Sequence, residues 1–133
     1  MSSTLAQSIL LKNVRVLCPA SATDQLTDVR IEAGCISHLG HGAPAADRSV
    51  EARGQWLLPG VTDLCARLRE PGATHKATIA SETTAALACG IHTVVMPPDT
   101  KPIADTPSLI DRIHAKSARA EGADVRVLGA LTQ

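Results

Sequence analysis

The feature that most constrains this chain is a change of rhythm at Trp56-Leu57-Leu58-Pro59-Gly60. Before it, short runs alternate apolar with polar residues; after it, apolar runs alternate with helix-like stretches. Residues 9–17 end in strict alternation, and Pro19 with the polar stretch 21–25 is expected to stop that strand. Residues 28–32 and 35–39 predict a hairpin turned at Ala33-Gly34. Residues 49–53 offer one more short strand after the small-residue loop 40–46. A period of two gives such a sheet one apolar face, which needs a partner layer.

Beyond Gly60 the pattern changes. Residues 61–66 read as a short apolar strand. Residues 76–89 read as a helix with Ile79, Ala86 and Leu87 on one side and Gly90 as its stop. Residues 91–96 are β-branched and apolar, as buried parallel strands are. After the loop 97–102, Thr106 is placed as N-cap and Pro107 at the first helical position. Leu109, Ile110 and Ile113 form the stripe of that helix, Gly122 closes it, and residues 124–130 make a third strand. Strand, helix, strand, helix, strand predicts two right-handed crossovers and a parallel sheet. The expected organisation is α/β: a β-rich segment over 1–56, then β/α units over 57–133. No internal repeat or low-complexity segment interrupts it.

Composition removes several functions. Thirteen basic residues balance thirteen acidic ones, so the charge expected of a nucleic-acid binder or a protein held on an anionic membrane is missing. Trp56 is the only aromatic residue, which rules out base-stacking platforms and aromatic cages. No apolar run approaches the roughly 18 residues of a membrane span, and no cleavage-type signal follows Met1; a cytoplasmic protein is expected. Cys18, Cys35, Cys65 and Cys89 are widely spaced and read as reduced, mostly buried thiols. His38, His41, His75 and His114 show no ligand spacing, and His92, early in an apolar strand, reads as a core histidine.

The most informative segment is Pro59-Gly60-Val61-Thr62-Asp63-Leu64-Cys65-Ala66-Arg67-Leu68-Arg69-Glu70-Pro71-Gly72. It resembles the first barrel strand of the cyclic amidohydrolases, dihydroorotases above all, whose pattern is Pro-Gly-x-x-Asp-x-His-x-His-x-Arg-x-Pro-Gly. The stretches Gly90-Ile91-His92-Thr93-Val94-Val95 and Pro98-Asp99-Thr100-Lys101-Pro102 fit the same family, which has Pro-Asn-Thr-x-Pro in the second. The resemblance implies the first three strands of a metallo-dependent-hydrolase (β/α)8 barrel preceded by a small β-domain segment. A closed barrel needs about 250 residues, so the chain is expected to be the N-terminal part of a longer protein. Alone it would leave an open sheet edge that favours aggregation.

The departures from that pattern carry the functional expectation. The resemblance puts Cys65 and Arg67 where the family's metal-binding histidines stand. In an extended strand Asp63, Cys65, Arg67 and Arg69 would share one face. A thiolate can ligate zinc, but a guanidinium has no lone pair to offer and adds a fixed positive charge. Arg69 matches the family's arginine for the substrate carboxylate, and Asp99 replaces its asparagine, so a carboxylate would face a carboxylate ligand. Cys65 and Arg67 are thus degenerate metal positions, Arg69 and Asp99 degenerate substrate positions. No catalytic residue, metal or other cofactor is assigned. Arg67 is expected to pair with Asp63 or another carboxylate, Cys65 to be an inert buried thiol, and Arg69 to pair with Glu70 or Asp99 or to keep weak anion affinity.

What the resemblance implies is a non-catalytic dihydroorotase-like subunit. Degenerate dihydroorotases of that kind are hetero-oligomeric structural partners of aspartate carbamoyltransferase catalytic chains in pyrimidine biosynthesis. The exposed loop 70–76 is a candidate contact. The alternative is an active metal-dependent cyclic amidohydrolase of dihydroorotase, allantoinase or hydantoinase type with a rearranged metal site and Cys65 as substitute ligand. A free-standing α/β binding domain is the third possibility.

Overall fold

The computed structural model describes residues 7–131. It divides between Pro59 and Gly60 into two compact units.

In the first unit, β1 (Ser8–Cys18), β2 (Thr23–Glu32), β3 (Cys35–Leu39), β4 (Arg48–Glu51) and β5 (Trp56–Leu57) form one sheet. The order is β3-β2-β1-β4, with β5 also on β1. Strands β1–β2 and β2–β3 are antiparallel, whereas β4 and β5 run parallel to β1. The hairpin at Ala33-Gly34 forms as the sequence predicts, both residues holding positive φ (48° and 78°). Strand β1 serves two parallel neighbours because its register shifts between Leu11 and Val14. At that bulge Asn13 has φ 54°, and its side chain donates to Glu51 Oε1 at 2.8 Å. Val14, Val29 and Ala52 are the buried centre of this unit.

As expected, the first strand stops before Pro19, where residues Pro19–Ser21 make a 3-10 turn, but only part of the polar stretch 21–25 lies outside strands, since β2 already starts at Thr23. The reason is electrostatic. Arg15 grips Asp24 with two hydrogen bonds of 2.8 Å across the strand pair, so an exposed strand end is held by a bidentate charge pair rather than by apolar alternation.

The second unit runs β6 (Val61–Asp63), α1 (Ile79–Ala88), β7 (Ile91–Met96), α2 (Pro107–Ala118) and β8 (Asp124–Val127). The three strands are parallel in the order β6-β7-β8. Helix α1 packs on β7, α2 on β8, and the helices on each other. Ile79, Val94, Met96, Ile113 and Val125 are fully buried in the shared core.

Helix α1 begins at a capping box: Thr78 Oγ1 accepts from Ser81 N at 3.1 Å, and Ser81 Oγ accepts from Thr78 N at 3.0 Å. Its buried positions are Ile79 and Thr83, with Ala86 packed at the edge, while Leu87, expected on the same stripe, is exposed. Thr83 can be buried because its hydroxyl donates to Ile79 O at 2.7 Å. Gly122 lets the next segment pass over it, since a Cβ there would lie 2.6 Å from Thr83 Cβ. Helix α2 has the expected N-cap, Thr106, but ends at Ala118, before Gly122. Gly60 has a comparable packing role: a Cβ would lie 2.6 Å from His92 Cβ, so only glycine fits at the start of β6.

Candidate functional site

The predicted site residues sit just beyond β6 and β7, at the carboxyl ends of parallel strands. Ligands of α/β folds bind at this end, where loops converge over the sheet. The expected strand 61–66 is shorter than its sequence suggests. It stops at Asp63, whose Oδ1 accepts from Cys65 N at 2.9 Å and turns the backbone out of the ladder. Pairing returns at a single point, where Ala66 N donates to Val95 O at 2.9 Å. Asp63, Cys65, Arg67 and Arg69 therefore do not form one extended face. Arg69 even holds a left-handed backbone, φ 65°, a conformation costly for a long side chain.

Arg67 Nε donates to Asp99 Oδ2 at 2.6 Å, joining the loop after β6 to the loop after β7. Of the carboxylates open to Arg67, the structure thus selects Asp99 and not Asp63. Both partners are more than half or half exposed (58% and 50%), so the pair is worth at most about 1 kcal/mol. Its importance is positional: it ties the loop after β6 to the loop after β7 at the strand ends.

Arg69 pairs with neither expected partner. Asp99 is taken by Arg67, and Glu70 turns the other way, into the helices. Glu70 is 8% exposed. Its Oε2 accepts from Ile79 N, the first turn of α1, at 2.9 Å, and its Oε1 pairs with Lys116 in the last turn of α2. Lys116 holds the Glu70 carboxyl below its ordinary range; burial opposes this, and the Ile79 amide reinforces it. Glu70 is a structural tie, and the candidate contact loop 70–76 begins inside the protein rather than on its surface. The sequence gives no local sign of this, because Lys116 is 46 residues away.

The thiols are more open than expected. Cys35, Cys65 and Cys89 are exposed and Cys18 is half-buried; all four are free. Each exposed thiol lies where chain direction changes: at the start of β3, in the turn after β6 and at the C-cap of α1. His92 is also exposed instead of buried, its Nδ1 against Thr93 Oγ1 at 3.1 Å. As the second residue of β7 it precedes the stretch that α1 covers.

The donors at these positions do not fit a metal centre. Arg67 has no lone pair and is committed to Asp99, leaving Cys65 as the one soft donor on this segment. Among the described residues, no group of three or more His, Cys, Asp or Glu side chains is arranged to hold a metal ion.

Beside the ion pair lies a cavity of about 320 Å³ with Leu68 and Met96 in its lining. Lys76 and Lys101 line it together with Arg67, Arg69 and Asp99. Neither lysine was singled out by the sequence. The sign available was modest: Lys101 lies within the Pro98–Pro102 motif, and Lys76 four residues after the motif's Gly72.

The fold is shared with two solved structures. An L-hydantoinase (dihydropyrimidinase) from Arthrobacter aurescens superposes with a TM-score of 0.76 at 21% identity, over 91% of this chain and 27% of that one. A dihydroorotase superposes with a TM-score of 0.61 at 18% identity, over 92% of this chain and 31% of the other. At these identities the likeness is one of fold. In sequence, the model of the Dihydro-orotase-like family matches residues 54–132. The chain is 40% identical over 129 residues to a dihydroorotase-like protein of Pseudomonas aeruginosa. It is 39% identical over 129 residues to a dihydroorotase of Geobacter sulfurreducens. Both matches take in 95% of this chain and 30% of the relative. The chain belongs to the dihydroorotase-like family, and it spans about 30% of the length of the curated relatives it matches. Among the described residues, no helix is long and apolar enough to cross a membrane.

Proposed function

We propose that the protein is a non-catalytic dihydroorotase-like subunit that serves as a structural partner of aspartate carbamoyltransferase catalytic chains in the cytoplasm. In this reading, the unit from Gly60 onward is the first three β/α units of a (β/α)8 barrel whose metal chemistry has been lost. The observation that carries it is the Arg67–Asp99 pair. A fixed cation at a metal-ligand position repels a divalent ion, and Asp99, committed to that cation, no longer offers the neutral amide expected for gripping a substrate. Without a metal, no bound water is activated to attack an amide carbonyl. A fold can keep a binding surface while its reaction centre drifts, which makes an assembly role physically coherent.

The test is light-scattering chromatography of the whole protein mixed with the aspartate carbamoyltransferase of its own organism, with transferase activity assayed in both states. Co-elution as a large complex, with activity depending on it, is expected. Separate elution with unchanged activity would remove the partner reading. The competing reading, an active cyclic amidohydrolase with a rearranged site, draws on the exposed Cys65 thiol and on relatives named dihydroorotase. Near-stoichiometric zinc surviving dialysis, together with dihydroorotate turnover, would establish it.

A further inference from the structure

The cavity beside the Arg67–Asp99 pair carries a charge imbalance that the proposed assembly role does not use. Four permanent cations line it, Arg67, Arg69, Lys76 and Lys101, against one carboxylate, Asp99. The cavity is thus left with three uncompensated positive charges in a chain whose formal net charge is zero. Elsewhere acidic partners are spread among the bases: Arg15 with Asp24, Arg30 with Glu32, Arg126 with Asp124. Among the described residues, Arg69, Lys76 and Lys101 have no carboxylate within ion-pair distance.

Two of these cations are held together by backbone. Lys101 N donates to Pro71 O at 3.1 Å, and Ala73 N donates to Arg69 O at 2.7 Å, closing the loop that leads to Lys76. Gly72, at φ 121°, sits against Lys101, where a Cβ would come within 2.9 Å of Lys101 Cβ and 3.0 Å of its nitrogen. The approach of the two loops is therefore built into the main chain. Strain at Arg69 is stored at the same place.

We propose that this cavity binds a small anion carrying two or more negative charges, of the phosphate or diphosphate class, with Lys76 and Lys101 as the residues that set this preference. The inference rests on the reading of the site as free of metal. The family resemblance accounts for Arg69 and a single carboxylate; the two lysines on adjoining loops exceed what one carboxylate neutralises. Ammonium and guanidinium groups converging from separate loops suit phosphate oxygens. Leu68 and Met96 supply an apolar base, and about 320 Å³ lies within the range of small-ligand sites.

The experiment is calorimetric titration of the whole protein with pyrophosphate, orthophosphate and acetate at matched ionic strength, with and without a chelator. Pyrophosphate is expected to bind at least about tenfold tighter than acetate and equally well with chelator present. A Lys76→Gln, Lys101→Gln double variant, changing only exposed side chains, is expected to lose at least about tenfold in affinity. Orthophosphate binding as well as pyrophosphate would identify a monophosphate group as the ligand; weaker orthophosphate binding would identify a diphosphate. Equal affinity for pyrophosphate and acetate, wild-type affinity in the double variant, or loss of binding with chelator would each overturn the proposal. Zinc content and carbamoyltransferase co-elution are read on the same preparation. The assembly reading can then fail while the anion site stands, and the reverse.

Discussion

The two sides of the parallel unit differ in what they tolerate. On the helix side, Ile79, Thr83 and Ile113 are fully buried, Gly122 lies directly against Thr83, and the buried Glu70 joins both helices. On the strand-end side, Cys65, Arg67 and Asp99 are exposed, and one solvent-accessible ion pair links Arg67 to Asp99. Packing residues are constrained by neighbours on every side, so substitution costs stability. Strand-end residues are constrained only by the chemistry they perform, and when that is no longer required they can change at little cost.

This contrast can be broken by experiment, and the largest effect is expected in the core. Ile113→Ala should lower the unfolding free energy of the whole protein by about 3 kcal/mol, read by urea denaturation. A loss below about 1 kcal/mol would mean the helix layer is loosely packed. Gly122→Ala is expected to cost about 2 kcal/mol, because the new methyl meets Thr83. Glu70→Gln should cost about 1–2 kcal/mol by weakening the Lys116 pair, and it should carry a pH signature. The folded carboxyl titrates below its ordinary value, so its stabilisation is complete above the ordinary glutamate range and is lost as pH falls through that range to the folded value. The variant should lack this part of the acid sensitivity in thermal scans; an unchanged acid limb would refute the tie. The smallest effect belongs to the site. Arg67→Ala should change stability by about 0.5 kcal/mol or less. The double change Cys65→His, Arg67→His is expected to give no dihydroorotate hydrolysis, because Asp99 remains. Measurable turnover would show that chemistry was lost at this one segment alone.

Patterns that depend on nearby residues were legible in the sequence. The Ala33-Gly34 hairpin, the Thr106-Pro107 helix start, the Gly90 stop and the order of the parallel unit are all local signals of turn chemistry or periodicity. The motif around Pro59–Gly72 likewise pointed to the family. What the sequence hid depends on partners far away. Strand β2 begins in a polar run because Arg15 reaches Asp24. Thr83 replaces Leu87 in the core because its hydroxyl is satisfied within the helix. Glu70 turns inward because Lys116 and the Ile79 amide await it. The turn at Asp63 broke an alternation that looked continuous, and with it the expectation of four site residues on one face.

The hydrogen bond from Lys101 N to Pro71 O, with Gly72 beneath it, has a wider consequence. It makes the outline of the cleft a property of peptide groups, which every substitution leaves in place except one at Gly72 or a proline at 101. The mouth is thus a socket whose fittings can be exchanged without rebuilding the wall. A designer who wants a new ligand specificity here can vary residues 67, 69, 76 and 99 as a combinatorial library and screen for binding directly, without first repairing the scaffold.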